Sequence, residues 1–183
     1  FMDGFFKGDF GQYFTPRPII EFAVKMMKPE HDWDVLDPAC GSGGFLLHAL
    51  DYMRSQASEY YDKDTVDYFN YWHDFASKHL YGIEINDEIA RVAKMNMIVH
   101  DDGHTNVISF DALDSIDKMH DHNRGFEAGK FDLILTNPPF GSTITKAEKP
   151  YLANYELGKT KDAKGKYKDR PRQSSEILFI ERI

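Results

Sequence analysis

One cysteine, Cys40, in 183 residues rules out an internal disulfide and fits a reducing compartment, the cytoplasm. No apolar run approaches the length of about 20 residues needed to span a bilayer, and the first residues lack a basic stretch followed by an apolar one. Neither a membrane span nor an export signal is therefore expected. P-loop and Ser-His-Asp patterns are missing, which excludes ATP hydrolysis and that form of DNA cleavage by the chain itself. Cys40 has no base beside it and reads as a small packed residue in a turn. Metal ligands are scarce too. His100 and His104 are separated by Gly103 ahead of a strand, and His120 and His122 sit among acids in a polar stretch, so no metal centre is expected.

Basic charge is in short supply overall, at 22 Lys and Arg against 30 Asp and Glu, a net charge of −8. Its distribution is uneven. Lys159, Lys161, Lys164, Lys166, Lys168, Arg170 and Arg172 crowd into one tract. That tract reads either as a clamp for a phosphate backbone or as a solvated loop. The hydrophobic content of 42% supports one domain with a real core.

Periodicity gives alternating helices and strands. Residues 18–28 read as a helix with Ile19, Phe22, Ala23, Met26 and Met27 on one face. Trp33–Ala39 reads as a first strand, Ser42–Ala57 as the following helix, and 59–79 as a short aromatic-rich helix on the domain's side. Leu80–Ile85 is a second strand, Asp87–His100 a helix, and Val107–Phe110 a third strand. A polar stretch, 114–130, leads to a buried strand over 131–136. Such alternation implies a parallel sheet with right-handed crossovers.

Two motifs stand at strand ends. Asn137-Pro138-Pro139-Phe140 follows the strand over 131–136, and its prolines fix a stiff loop where open α/β sheets hold their ligands. That loop offers an amide oxygen and carbonyls as acceptors beside an aromatic ring, which suits an exocyclic amine on a flat base. Asp37-Pro38-Ala39-Cys40-Gly41-Ser42-Gly43-Gly44 reads as strand, glycine-rich turn and helix start. Glycines there permit positive φ and close approach of a ligand, and the helix presents free N–H groups.

These residues resemble a known family. Asp-Pro-Ala-Cys-Gly-Ser-Gly-Gly-Phe-Leu and Asn-Pro-Pro-Phe look like the cofactor and catalytic motifs of adenine-N6 DNA methyltransferases. Gln12, Tyr13, Phe14, Thr15, Pro16 and Arg17 look like the upstream element of the same family. The trio is most similar to the modification (M) subunit of type I restriction–modification systems. The resemblance covers about residues 8–183. It implies a Rossmann-like α/β fold, mostly parallel, and S-adenosyl-L-methionine as cofactor. It implies double-stranded DNA as substrate, with a specificity (S) subunit, a restriction (R) subunit and two M subunits as partners. In domain terms, 1–17 would carry the upstream cofactor motif and 18–183 the N-terminal part of the catalytic domain. Ser174–Ile183 starts like a helix and breaks off with no closing Gly, Asn or Pro, so a fragment truncated on the C-terminal side is expected, inactive alone.

The same resemblance implies residue roles. Glu84, an acid at a strand end, would accept both ribose hydroxyls, a use nucleotide-binding sheets share. Asp37 would lie near the methionine amino end. Gly41, Ser42, Gly43 and Gly44 would supply the backbone of the turn, and Gln12 to Arg17 would wrap the methionine portion. Asp111 would accept from the adenine amine of the cofactor, with Asp114 a nearby competitor and Phe110 standing where relatives often have Gly. Asn137, Pro138, Pro139 and Phe140 would form the catalytic loop. Two alternatives stay open. One is an S-adenosylmethionine-dependent enzyme acting on RNA or a protein glutamine, whose members usually carry Tyr in place of Phe140. The other is a non-catalytic cofactor-binding fragment.

Overall fold

The computed structural model describes residues 14–100 and 106–183, so Gln12 and Tyr13 of the upstream motif lie outside the described residues. The chain forms two compact units, one of Thr15–Ala112 and Ile116–Asn137, the other including Leu113–Ser115 and Pro138–Ile183.

The first unit is a parallel sheet with its helices. The elements run α1 (Arg17–Met27), β1 (Val35–Asp37), α2 (Gly44–Tyr60), α3 (Val66–His79), β2 (Leu80–Glu84), α4 (Asp87–Val99), β3 (Val107–Ser109), α5 (Ile116–His122) and β4 (Leu133–Ile134). The chain enters this sheet in the middle. β1 pairs with β2 on one side and β4 on the other, β3 pairs with β2, and every pairing is parallel. The order β3-β2-β1-β4 means that the direction of winding reverses between β1 and β4, which opens a crevice at their carboxyl ends. The expected Rossmann-like architecture is therefore present.

The core lies between the sheet and the helices. Leu46, Ala49, Leu50, Met53 and Ala57 of α2 meet Trp72, Phe75 and Ala76 of α3 and Val35 and Leu80 of the strands. Burying each large apolar side chain is worth about 1.5–3 kcal/mol, so this cluster dominates the stability of the unit. Gly82 in β2 shows how close the packing is. A Cβ there would come within 2.7 Å of Leu46 Cδ1 and 3.2 Å of Cys40 Sγ. α2 and the turn before it therefore sit directly on β2. Among the described residues no helix is long and apolar enough to cross a membrane.

Two expectations need correction, and a third segment holds an element that periodicity did not show. α1 packs through Ile20 and Val24, while Ile19, Phe22, Met26 and Met27 are exposed. The helix is apolar around most of its circumference, so periodicity alone selected the wrong stripe. The polar stretch 114–130 contains α5, whose single buried apolar residue, Met119, is too weak a periodic signal to see. The aromatic segment forms a helix of 14 residues starting only at Val66, because the Thr65 hydroxyl accepts from Tyr68 N at 3.2 Å and caps it there.

Among the described residues the second unit has only short elements. β5 (Thr143–Thr145) pairs antiparallel with β8 (Arg172–Ser174), and β6 (Lys159–Lys161) pairs antiparallel with β7 (Tyr167–Asp169). A 3-10 turn at Pro150–Asn154 and helix α6 (Ser175–Arg182) complete it. Within it, Tyr155 Oη donates to Leu113 O at 2.6 Å, and the Arg182 guanidinium donates to the carbonyls of Leu113 and Asp114.

Candidate active site

The glycine turn is built from β1 outward. Cys40 N donates to Ile83 O at 2.9 Å and Gly43 N to Cys40 O at 2.8 Å, which folds the turn back against β2. Gly41 and Gly43 have φ of 54° and 91°, in the region that glycine enters without steric cost. Gly43 is also the residue from which α2 starts, so the first amides of that helix face the crevice with the positive end of its dipole.

Two buried carboxyl groups flank the turn. Glu84 ends β2, and its two oxygens are divided between two backbone donors, Gly41 N at 3.1 Å and Asn86 N at 2.9 Å. An ionised carboxylate has about four acceptor positions, so each oxygen keeps capacity for a hydroxyl donor. Asp37 ends β1 at 1% exposure. Its Oδ1 accepts from Ala39 N at 3.1 Å. Burial pushes its carboxyl up to about 7, and the nearby Glu84 acts in the same direction, while the Thr136 side chain and Ala39 N act the other way. Among the described residues Thr136 Oγ1 is buried with no hydrogen bond of ordinary geometry, yet it lies close enough to Asp37 to favour the carboxylate.

The folded chain holds the Asp37 proton more tightly than the unfolded chain, so stability is fully present below the ordinary carboxylate range and falls as pH rises to about 7. Asp37→Asn is expected to flatten that part of the stability profile. Denaturant melts at pH 5 and pH 8 measure it, and an unchanged difference between variant and wild type speaks against the buried proton.

The acceptor side of the crevice is Asn137. It follows β4, and its Nδ2 donates to Thr15 Oγ1 at 3.0 Å. This bond joins residues 122 positions apart and, with the amide so oriented, leaves Asn137 Oδ1 with no protein donor among the described residues. Thr15, expected only as part of the cofactor element, thus also orients the amide. Pro16 and Arg17 are exposed at the start of α1. Asp111 follows β3 and is half-buried.

Pro138, Pro139 and Phe140 belong to the second unit. There Ser175, buried at the start of α6, donates from Oγ to Pro139 O at 3.0 Å, and its N–H donates to Ser142 O at 3.0 Å. Phe140 is 53% exposed, its ring available for stacking. Ser175 was legible in sequence only as part of a helix start. Its grip on the proline loop has no local signal. Asp114 belongs to the second unit and Asp111 to the first. Among the described residues no group of three or more His, Cys, Asp or Glu could hold a metal ion.

The donor set in the first unit fits a cofactor with a vicinal diol and a cationic end. Glu84 has spare acceptor capacity, and Asp37 is a carboxyl whose ionisation a nearby cation would favour.

A family model described as N-6 DNA Methylase matches residues 5–183. The methylase subunit of the type I restriction enzyme StySPI from Salmonella potsdam is 33% identical over 148 residues, 74% of this chain and 24% of that protein. The methylase subunit of EcoKI from Escherichia coli strain K12 is 32% identical over 149 residues, with the same shares covered. The chain thus spans about a quarter of the length of these curated relatives. The solved EcoKI M protein is similar over 94% of this chain and 31% of its own, with a TM-score of 0.62 and 26% sequence identity. Motifs, sheet order and family match agree: the chain belongs to the N-6 DNA methylase family.

Proposed function

We propose that this chain is part of a site-specific, adenine-N6 DNA methyltransferase that uses S-adenosyl-L-methionine and serves as the modification subunit of a type I restriction–modification system in the cytoplasm. One observation carries the reading. At the switch point of the sheet, Asn137 has its amide nitrogen spent on Thr15 and its oxygen left over as an acceptor. Double-stranded DNA, a specificity subunit, a second modification subunit and a restriction subunit are the proposed partners.

In this reading 1–17 contributes the upstream cofactor motif and 18–183 the rest of the partial catalytic domain. Bound S-adenosyl-L-methionine supplies an electrophilic methyl group, which adenine N6 takes as the carbon–sulfur bond breaks. Glu84 accepts from the ribose hydroxyls. Gly41, Ser42, Gly43 and Gly44 line the methionine portion, with Asp37 near its amino group and Phe14 to Arg17 around it. Asp111 accepts from the adenine amine of the cofactor.

Asn137 Oδ1 and the Pro138 carbonyl accept the two hydrogens of the target N6. They stabilise the positive charge that grows there, at about 1.5–3 kcal/mol for each hydrogen bond to a charged donor. A base inside a duplex is out of reach and must be flipped out at a cost of a few kcal/mol. Stacking on Phe140 offsets that by about 1–3 kcal/mol. Pro139, fixed by Ser175, sets the direction of the loop.

The test is methyl transfer by the full-length protein from labelled S-adenosyl-L-methionine to duplex DNA, single-stranded RNA and a glutamine-bearing release factor. Label recovered as N6-methyladenine in the duplex is the expected result. Label in the protein or RNA alone would overturn the assignment.

A further inference from the structure

The basic tract is not a loose loop. β6 and β7 form a hairpin in register, Lys159 opposite Asp169, Thr160 opposite Lys168 and Lys161 opposite Tyr167. Gly165, with φ of 77°, closes its turn. Asp162 Oδ1 accepts from Lys164 N at 2.8 Å and Lys166 N at 2.9 Å, and Asp162 N donates to Lys166 O at 2.9 Å. The base is fastened as well. Arg170 N donates to Gly158 O at 2.8 Å and Arg170 Nε to Lys159 O at 3.0 Å. The Glu181 carboxylate accepts from Glu156 N at 2.5 Å and Leu157 N at 2.7 Å.

The two faces of this hairpin differ in charge. On one, Lys159 pairs with Glu156 at 2.8 Å, Asp169 pairs with Lys146 at 2.5 Å, and Lys161 lies 5.2 Å from the centre of the Tyr167 ring. On the other, Lys166 and Lys168 alternate with Tyr167 and share a side with Thr160. Lys164 stands at the tip. Among the described residues Lys164, Lys166 and Lys168 make no ion pair, and the one acid on their side, Asp162, has its Oδ1 committed to backbone amides. A rigid strand places Lys166 and Lys168 about 7 Å apart. One DNA strand carries a charge about every 3.4 Å along the axis, so that interval corresponds to two steps.

We propose that this face of the hairpin, Lys164, Lys166 and Lys168 with Thr160, binds the phosphate backbone of duplex DNA. It positions the duplex without reading sequence, as phosphate contacts do. The assignment rests on the DNA-methyltransferase reading and adds to it a binding surface outside the catalytic motifs. A regularly charged polyanion matches a fixed row of ammonium groups in a chain of net charge −8, which otherwise repels DNA.

The experiment compares full-length wild type with a Lys164→Ala/Lys166→Ala/Lys168→Ala variant and the corresponding triple Arg variant. Affinity for a duplex of about 30 base pairs is measured across a salt series, beside calorimetry with S-adenosyl-L-methionine. The triple Ala variant is expected to bind at least about tenfold more weakly, by the same factor on every sequence, with a log–log salt slope shallower by about 0.9 for each phosphate no longer neutralised. The triple Arg variant should keep the wild-type slope, and cofactor binding should be the same in all three. Unchanged affinity and slope in the Ala variant, with wild type methylating DNA, would overturn the hairpin assignment alone. Loss of binding to an acidic protein with DNA binding intact would overturn it as well. Failure of wild type itself to methylate duplex DNA would overturn the functional reading beneath it.

Discussion

Asn137→Ala is expected to reduce methyl transfer to DNA by about a hundredfold to ten-thousandfold in the full-length protein. One hydrogen bond to the developing positive charge, about 1.5–3 kcal/mol at about 1.4 kcal/mol per tenfold in rate, accounts for about tenfold to a hundredfold, and misplacement of the amine that the bond held in line accounts for up to about a hundredfold more. Cofactor binding should stay within a few-fold of wild type, because Asn137 lies at the end of β4 and contributes no bond to the glycine turn or to Glu84. The discriminating readout is single-turnover rate beside cofactor affinity. A variant that turns over normally, or one that loses rate only in proportion to cofactor binding, removes Asn137 from the acceptor role. Alanine also frees Thr15 Oγ1 from its partner at 3.0 Å. A modest stability cost of about 1 kcal/mol is expected from the missing bond.

Glu84→Gln is expected to weaken S-adenosyl-L-methionine binding by about a hundredfold to a thousandfold. The substitution is nearly isosteric, so the effect is electronic. In the native chain both carboxylate oxygens face backbone donors, Gly41 N and Asn86 N. A glutamine amide must turn its NH2 toward one of these N–H groups, which strands a donor or tilts the turn, at about 1–3 kcal/mol. In the proposed reading the remaining oxygen then serves one ribose hydroxyl where the carboxylate would serve two. Calorimetry gives the affinity and thermal melting gives the cost to the turn. A dissociation constant close to wild type would show that the diol is held elsewhere.

The first three strands and helices α2 and α4 were legible because both signals, a short β-rich apolar run and a longer 3.6-residue period, coincide there. The β1 turn was legible through its glycines, two of which do adopt positive φ. Legibility failed where a bond is made across the chain rather than along it. Thr15 reads only as part of the upstream cofactor element, yet its hydroxyl orients Asn137. Ser175 reads as a helix cap, yet its hydroxyl holds Pro139 O and α6 has no side-chain cap at Ser174. The stripe chosen for α1 was apolar but points outward, since Ile20 packs toward Gly44 and Val24 is 1% exposed. Composition found the basic tract but not its division into a neutralised side and a bare one, because that division depends on register.

Strand β1 has a consequence for how the chain is made. Its far flank joins β4, and the first bond of that union, Asp34 N to Asp132 at 2.8 Å, spans 98 positions. β2 can settle against β1 as soon as it leaves the ribosome, whereas β4 emerges much later. At synthesis rates of about 5–20 residues per second, a nascent polypeptide exposes one bare margin of a central strand for several seconds. The glycine turn and Glu84 therefore take shape before Asn137 exists, and chaperones have that interval in which to shield the unpaired edge.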